Sequence, residues 1–239
     1  MLPIQDINPT RRFPIVNYAL IAINVIVFVM QLSLSEQQLN QVYLTQSVVP
    51  ALASRAPFAP ETLLDILRSM FFHAGWAHLL GNMLYLWIFG DNVEDRLGKP
   101  LYIAFYLVCG FAAGYAQVLI SPTSQVPLVG ASGAIAGVLG GYLVLYPGVK
   151  VRALILLGYF SRLTEISALY VLGFWFVLQL FNGVMSLGPD TSEGGVAFFA
   201  HVGGFVVGAI LIWIFKNIMP QPPADEMNNM LYQRRGRPY

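Results

Sequence analysis

Charged residues are scarce in this sequence, and their scarcity decides its class. Only 10% of the 239 residues are Asp, Glu, Lys or Arg, whereas 56% are hydrophobic. A soluble domain carries about a quarter charged residues, so the composition excludes an ordinary soluble protein and predicts several membrane spans. The formal net charge is +1 and no basic block occurs. We therefore expect the lipid bilayer as a partner and find no support for nucleic-acid binding.

Cysteine and histidine are scarce as well. Cys109 is the single cysteine, which excludes a disulfide within the chain and disfavours a cysteine-based metal site. The histidines, His73, His78 and His201, show neither the His-Glu-x-x-His pattern nor another fixed ligand spacing. We expect no bound metal and no cofactor. No small-residue cleavage site follows the first apolar segment, so we interpret that segment as a retained span and not as a signal peptide.

Apolar segments of suitable length predict the membrane topology, since a helix needs about 20 apolar residues to cross a bilayer. Six segments qualify, one of them short, at residues 15–34, 77–94, 100–120, 132–146, 164–184 and 195–215. The sequence thus predicts an all-α membrane protein. A six-transmembrane-helix bundle at 15–215 follows a short segment, 1–14, and precedes a polar, proline-containing tail, 216–239, that we expect to be disordered.

Basic residues predict the orientation of this bundle. With the N-terminus inside, 11 of the 13 Lys and Arg residues fall in cytosolic segments, which predicts that both termini are cytoplasmic. Of the external connections, residues 61–72 are expected to form an amphipathic surface helix. The uncharged connection at 121–130 is expected to dip into the interface. The connection at 185–194, rich in Gly, Pro and Ser, is expected to be a mobile loop.

Ser132, His201 and His78 lie on three different predicted spans but at similar depth. At 1.5 Å per residue, Ser132 and His201 lie about 22 Å from the inner ends of their spans, and His78 lies about 20 Å from its own. All three fall about 8–10 Å below the outer edge of a 30 Å core. Ionisable groups are costly inside a membrane and usually functional there, so the agreement in depth favours a shared site.

Small residues repeat on two of these spans and predict close helix packing. Residues spaced by four share one face of a helix, and faces of this kind let two backbones approach closely. The small residues that we assign to helix packing are Gly130, Gly133, Gly137, Gly204 and Gly208. This packing would bring His201 within hydrogen-bond reach of Ser132.

The chemistry expected of such a pair is nucleophilic catalysis. A serine hydroxyl is a poor nucleophile until a base removes its proton, and His201 is the candidate base. No carboxylate lies near His201 on its span, so we expect a Ser–His dyad and not a triad. The free backbone N–H groups of Ser132 and Gly133 at a helix start suit a developing oxyanion. His78 and Asn82, spaced i and i+4, can add side-chain donors.

Other interpretations of the same residues stay open at this point. Ser132 could be a serine that only packs between helices, and His201 could be a histidine that bonds to a neighbouring helix. His78 and Asn82 could form a polar clamp between helices. We interpret His73, five residues before His78 and on a different face, as interfacial. The aromatic residues 174–176 are interpreted as lipid-facing bulk or as a lateral gate. A non-catalytic binder of membrane proteins and a transporter are the alternative functions, the second disfavoured by the lack of charge within the spans.

The motifs resemble those of the rhomboid intramembrane serine proteases. The matching pieces are Gly130-Ala131-Ser132-Gly133, Ala200-His201-x-x-Gly204-x-x-x-Gly208, His78-x-x-x-Asn82, and a Glu-x-Arg turn within residues 91–98 that we interpret as structural. Many members have a Trp-Arg pair in the first external loop, where this chain has Leu67 before Arg68. Many members also carry an aromatic residue four positions after the nucleophile, where this chain has Ala136.

The resemblance implies an activity and assigns roles. It implies Ser132 as nucleophile, His201 as base, and His78 and Asn82 at the oxyanion site. It implies cleavage of transmembrane protein substrates near the outer ends of their spans, without a cofactor. It also implies substrate access beside the fifth span, a cap formed by the loop at 185–194, and the prokaryotic six-span form in a bacterial inner membrane.

Overall fold

The computed structural model describes residues 2–157, 160–187 and 196–219. Most of these residues are helical. In chain order the elements are β1 (Leu2–Asp6), α1 (Ile15–Gln31), α2 (Glu36–Gln46), α3 (Pro50–Ala53), α4 (Pro60–Ser69), α5 (Trp76–Leu97), α6 (Lys99–Ile120), α7 (Ser132–Leu145), β2 (Lys150–Leu157), β3 (Phe160–Ser167), α8 (Ala168–Met185) and α9 (Phe198–Ile218).

Each of the six predicted spans corresponds to one helix of the structure, namely α1, α5, α6, α7, α8 and α9. Within the described residues, α6, α8 and α9 are long and apolar enough to cross a membrane, and α1 and α7 are shorter apolar helices. Helix α5 has 22 residues and carries charged side chains toward its C-terminal end. A helix was predicted at 61–72, and the structure has α4 there, slightly shorter than expected.

The prediction that the chain is all-α is wrong. Strands β1, β2 and β3 form an antiparallel sheet in that order, with Leu2 opposite Leu154 and Lys150 opposite Ser167. Glu165 pairs across the sheet with Arg152 at 3.3 Å, and cross-strand ion pairs of this kind favour strand pairing. The predicted fifth span therefore begins too early, because residues 164–167 belong to β3.

Helix α7 forms the centre of the bundle. All of its residues from 133 to 142 are buried, and α5, α6, α8 and α9 surround it. The closest approach is to α9, where a Cβ atom on Gly204 would overlap the carbonyl oxygen of Gly133. A Cβ on Gly208 would overlap that of Gly137 in the same way. The absent side chains thus let the two backbones touch, which fixes the start of α7 beside the start of α9.

The end of α5 is helical where a turn was predicted. The helix continues to Leu97, and Gly98, with φ of 76°, ends it in a conformation that favours glycine. Glu94 is buried and accepts hydrogen bonds from the backbone N–H groups of Val16 at 3.2 Å and Asn17 at 2.7 Å. A carboxylate at this place caps the N-terminus of α1 and complements its dipole.

The end of α4 and the residues before α3 support the segment that leads into α7. Residues 121–130 have no regular secondary structure, as the prediction of a loop requires. The N–H of Gly130 donates to the carbonyl of Ser69 at 2.9 Å, and the Ser69 hydroxyl accepts from the N–H of Val48 at 2.8 Å. The loop before Ser132 is therefore held by the end of α4. Most of the predicted loop at 185–194, and the tail beyond residue 219, lie outside the described residues.

Candidate active site

Ser132 and His201 lie side by side. Ser132 is the first residue of α7, and His201 is on the first turns of α9, where the contact between glycines holds the two helices together. The Nε2 atom of His201 is 2.7 Å from the Oγ atom of Ser132. The imidazole is 8% exposed. The distance lies within the 2.6–3.2 Å expected of a nucleophile and its base.

The other side of the His201 ring contacts α8. The Oε1 atom of Gln179 is 2.7 Å from the His201 Nδ1 atom. One turn earlier on the same helix, the Trp175 ring centroid lies 5.9 Å from that of His201, with the planes tilted by 34°. Both nitrogens of the imidazole are thus engaged, Nδ1 by an amide oxygen and Nε2 by the serine hydroxyl.

Sequence reasoning missed Gln179 and misjudged one of the three aromatic residues. Phe174 is 58% exposed, as expected of lipid-facing bulk, but Trp175 faces His201. The signal that would have found Gln179 is its chemistry, because an amide within an apolar helix is costly unless another group satisfies it.

The first turn of α7 points free N–H groups toward the site. Ala131 occupies the N-cap position, and within the described chain no side chain caps this helix. The N–H groups of Ser132 and Gly133 therefore lack partners inside the helix. The positive end of the helix dipole lies at the same turn as these N–H groups. Both would stabilise a negative charge that develops there.

Gly130 has a different place from the one predicted. It lies before α7 with φ of 129°, so it is not part of the packing face of that helix. A Cβ at this position would lie 2.7 Å from the His78 ring and 3.5 Å from the Ser132 Oγ atom. The missing side chain thus leaves room for the His78 imidazole next to Ser132.

His73 is also not where the sequence placed it. It is 1% exposed, its Nε2 atom is 2.9 Å from the Asn82 Nδ2 atom, and its ring lies 5.1 Å from that of His78. The interpretation as an interfacial residue is wrong. It assumed one continuous helix, whereas α5 begins at Trp76 and the preceding loop folds back over it.

His73 therefore fixes the amide of Asn82. Burial, and secondarily the neighbouring His78, lowers the pKa of His73 to about 4. The ring is neutral at neutral pH and accepts one N–H of Asn82. The second N–H of that amide stays available. Asn82 is thus a donor whose orientation is held by His73.

A small cavity lies directly beside Ser132. Its volume is about 50 Å³, enough for a few water molecules. About half of the residues on its wall are glycine or alanine, most of the others are larger apolar residues, and Ser132 and Ser69 are the polar ones. The residues on its wall near the serine include Gly130, Gly133, Ala134, Ala197 and Ala200.

Comparison with known proteins places this arrangement in a family. Residues 60–218, well over half of the chain, match the model of the Rhomboid domain. The chain is 29% identical over 169 residues to "Rhomboid-like protein 11, chloroplastic" of Arabidopsis thaliana, covering 68% of this chain and 55% of that protein.

Two further relatives come from yeast and a bacterium. "Rhomboid protein 1, mitochondrial" of Saccharomyces cerevisiae is 29% identical over 63% of this chain and 41% of its own length. "Rhomboid protease GluP" of Bacillus subtilis is 29% identical over 60% of this chain and 24% of its own length. The chain thus spans roughly a quarter to a half of these relatives. The domain match, the helical bundle and the motifs agree that this chain is an integral membrane protein of the rhomboid family, most of whose members are serine intramembrane proteases.

Proposed function

We propose that this chain is an intramembrane serine endopeptidase that cleaves transmembrane protein substrates near the outer face of the membrane. Ser132 is the nucleophile and His201 the base of a Ser–His dyad. The observation that carries the proposal is the distance of 2.7 Å between the Ser132 Oγ and His201 Nε2 atoms. A packing serine has no need of an imidazole nitrogen as its partner.

The reaction follows from this pair. His201 Nε2 takes the hydroxyl proton as Ser132 Oγ attacks the scissile carbonyl carbon. The tetrahedral intermediate collapses when the same proton passes to the leaving amine, which departs and leaves an acyl-enzyme. A water then gives its proton to Nε2, attacks the acyl carbon and releases the carboxyl product. The proton returns to Ser132 Oγ, so the enzyme is regenerated.

The oxyanion is stabilised from two sides. The backbone N–H groups of Ser132 and Gly133 point from the start of α7, and the His78 imidazole approaches across Gly130. Asn82 supplies its second N–H to the same region, with its first N–H held by His73. A carbonyl oxygen that becomes negative gains more from these donors than it does in the ground state, so they lower the barrier.

The chain crosses the membrane six times, with both termini in the cytosol of a bacterium and the protein in its inner membrane. The sheet supports this topology, because β1 and β2 can pair only if they lie on the same side. The four helices α1, α5, α6 and α7 between them bring the chain back to that side. Residues 15–215 form the protease domain, 1–14 a cytoplasmic segment and 216–239 a cytoplasmic tail.

Substrates are single-span proteins with small residues at the scissile bond. The cavity beside Ser132 has a volume of only about 50 Å³, and its wall combines glycine and alanine with larger apolar residues such as Ile66 and Met70. A helical substrate hides its carbonyl groups in its own hydrogen bonds. Helix-breaking residues in the substrate therefore raise its rate of cleavage.

Labelling with a fluorophosphonate tests the dyad. Purified protein in detergent is compared with Ser132→Ala and His201→Ala, and with Ser33→Ala as a control at an exposed serine whose hydroxyl bonds only locally. We expect labelling of the wild type and of Ser33→Ala alone. Labelling that survives in Ser132→Ala would mean that another residue is the nucleophile. An unlabelled but folded wild type would favour the non-catalytic binder of membrane proteins.

A further inference from the structure

We propose that Gln179 is a positioning residue that selects the reactive tautomer of His201. The inference rests on the proposed function, since it concerns the base of the same dyad. The site is then a relay of Ser132, His201 and Gln179 in which the third member is a neutral amide. Gln179 bonds to the Nδ1 atom of His201, whereas Ser132 bonds to the Nε2 atom, so Gln179 acts on the dyad through the imidazole.

Hydrogen-bond chemistry fixes the proton on one nitrogen. The Oε1 atom of an amide is only an acceptor, so the His201 Nδ1 atom, 2.7 Å away, must carry the proton. In a neutral imidazole Nε2 then has a lone pair, and Nε2 faces the Ser132 hydroxyl at 2.7 Å. The opposite tautomer would present N–H to the serine and could not accept its proton.

A neutral partner suits the depth of the site. A carboxylate in the apolar interior must be desolvated, and that cost rises when no second charge compensates it. Before the reaction His201 is neutral, so an amide leaves the resting site without any net charge. When His201 becomes protonated, the Oε1 dipole of Gln179 already points at Nδ1–H and no reorganisation is required.

Trp175 completes the constraint. It is one turn before Gln179 on α8, and its ring packs beside the imidazole with centroids 5.9 Å apart. Trp175 thus limits rotation of the His201 ring, and Gln179 determines which ring nitrogen carries the proton. Ala136 of α7 is too small to stack on the imidazole, so the aromatic contact with the ring comes from Trp175 of α8.

The tautomer can be measured without any turnover. The chain has three histidines, so selective ¹⁵N-histidine labelling gives three imidazoles, and His201→Ala identifies the signals of His201. In the wild type we expect a protonated Nδ1 and a bare Nε2. In Gln179→Leu, which removes the acceptor and keeps a similar volume, we expect a mixture of tautomers. Gln179→Glu restores an acceptor and should restore the wild-type pattern.

Kinetics provide the second measurement. With a fluorogenic transmembrane peptide, Gln179→Leu should lower kcat about 10- to 100-fold, because a fraction of the general-base effect is lost, while KM changes less than about twofold. Gln179→Glu should recover much of the loss. The matched control is Asn182→Leu, which removes a half-buried amide from the same helix and should keep wild-type kinetics.

The results separate this inference from the proposed function. A kcat for Gln179→Leu within twofold of the wild type, or an unchanged tautomer in that variant, would overturn the role of Gln179. Equal losses in Gln179→Leu and Asn182→Leu would also overturn it, by indicating general damage to α8. An inactive wild type with the expected tautomer shift would refute the protease proposal and leave Gln179 as the partner that sets the His201 proton.

Discussion

Replacing Gly204 by alanine tests whether contact between the backbones of α7 and α9 sets the catalytic distance. The new Cβ would overlap the carbonyl oxygen of Gly133, and a backbone atom cannot move aside as a flexible side chain does. Ordinary contact requires about 3.5 Å, so the helices must separate locally by about 1 Å. The Ser132 Oγ to His201 Nε2 distance of 2.7 Å would then exceed a hydrogen bond.

The expected losses are large and measurable. A misplacement of about 1 Å costs up to about 100-fold in rate, and overpacking costs about 1–3 kcal/mol of stability. The assays are the rate of fluorophosphonate labelling and thermal unfolding in detergent. Gly81→Ala is the matched control, because a Cβ on that glycine of α5 meets nothing within 4 Å. The reasoning would be refuted if Gly204→Ala kept a third of the wild-type rate and its melting temperature.

Three further predictions concern stability. His73 has a folded pKa of about 4, below its unfolded value of about 6.5, so the stability that the neutral ring contributes falls as pH drops below 6.5. At pH 5 the loss of stability is at most about 2 kcal/mol. The melting temperature of His73→Gln should therefore vary less with pH than that of the wild type. An equal dependence of the two melting temperatures on pH would contradict this. Glu94→Gln should cost about 1 kcal/mol of stability by weakening the cap on α1. The variant should melt at a lower temperature but keep its activity per folded molecule. An unchanged melting temperature would exclude the cap as a source of stability. Deleting residues 2–6 removes the β1–β2 pairing and should make the 150–157 strand accessible to protease, and equal digestion of both proteins would show that β1 stabilises nothing.

The bundle was predictable because hydropathy and helix length report on single segments. Each predicted span has a helix within a few residues of its bounds. The sheet was not predictable in this way. Strand β2 alternates charged and apolar residues only from Lys150 to Ala153 and is uniformly apolar after that, so its period of two is too short to stand out. Its partner β1 is separated from it by the seven helices α1 to α7, and a pairing so distant in sequence leaves no local signal.

The site divides along the same line. The proximity of Ser132, His201 and His78 could be predicted, because counting residues along three helices gives them similar depths. Gln179 became visible only when the structure showed which face of α8 meets α9. His73 was misjudged because helical phase does not extend past the start of a helix. Side-chain partners across elements depend on helix rotation, and the sequence pattern of a uniformly apolar helix does not determine that rotation.

The pairing of β1 with β2 has a consequence for biosynthesis. Strand β1 leaves the ribosome before its partner β2, which follows about 150 residues later, a delay of about 8–30 s at ordinary elongation rates. During that time the strand exposes an unpaired edge, the kind of surface that pairs with other chains. The sheet can close only after the helices between the two strands, α1 to α7, have been synthesised. Because β2 precedes α9 in the chain, β1 can pair with β2 before His201 has been synthesised.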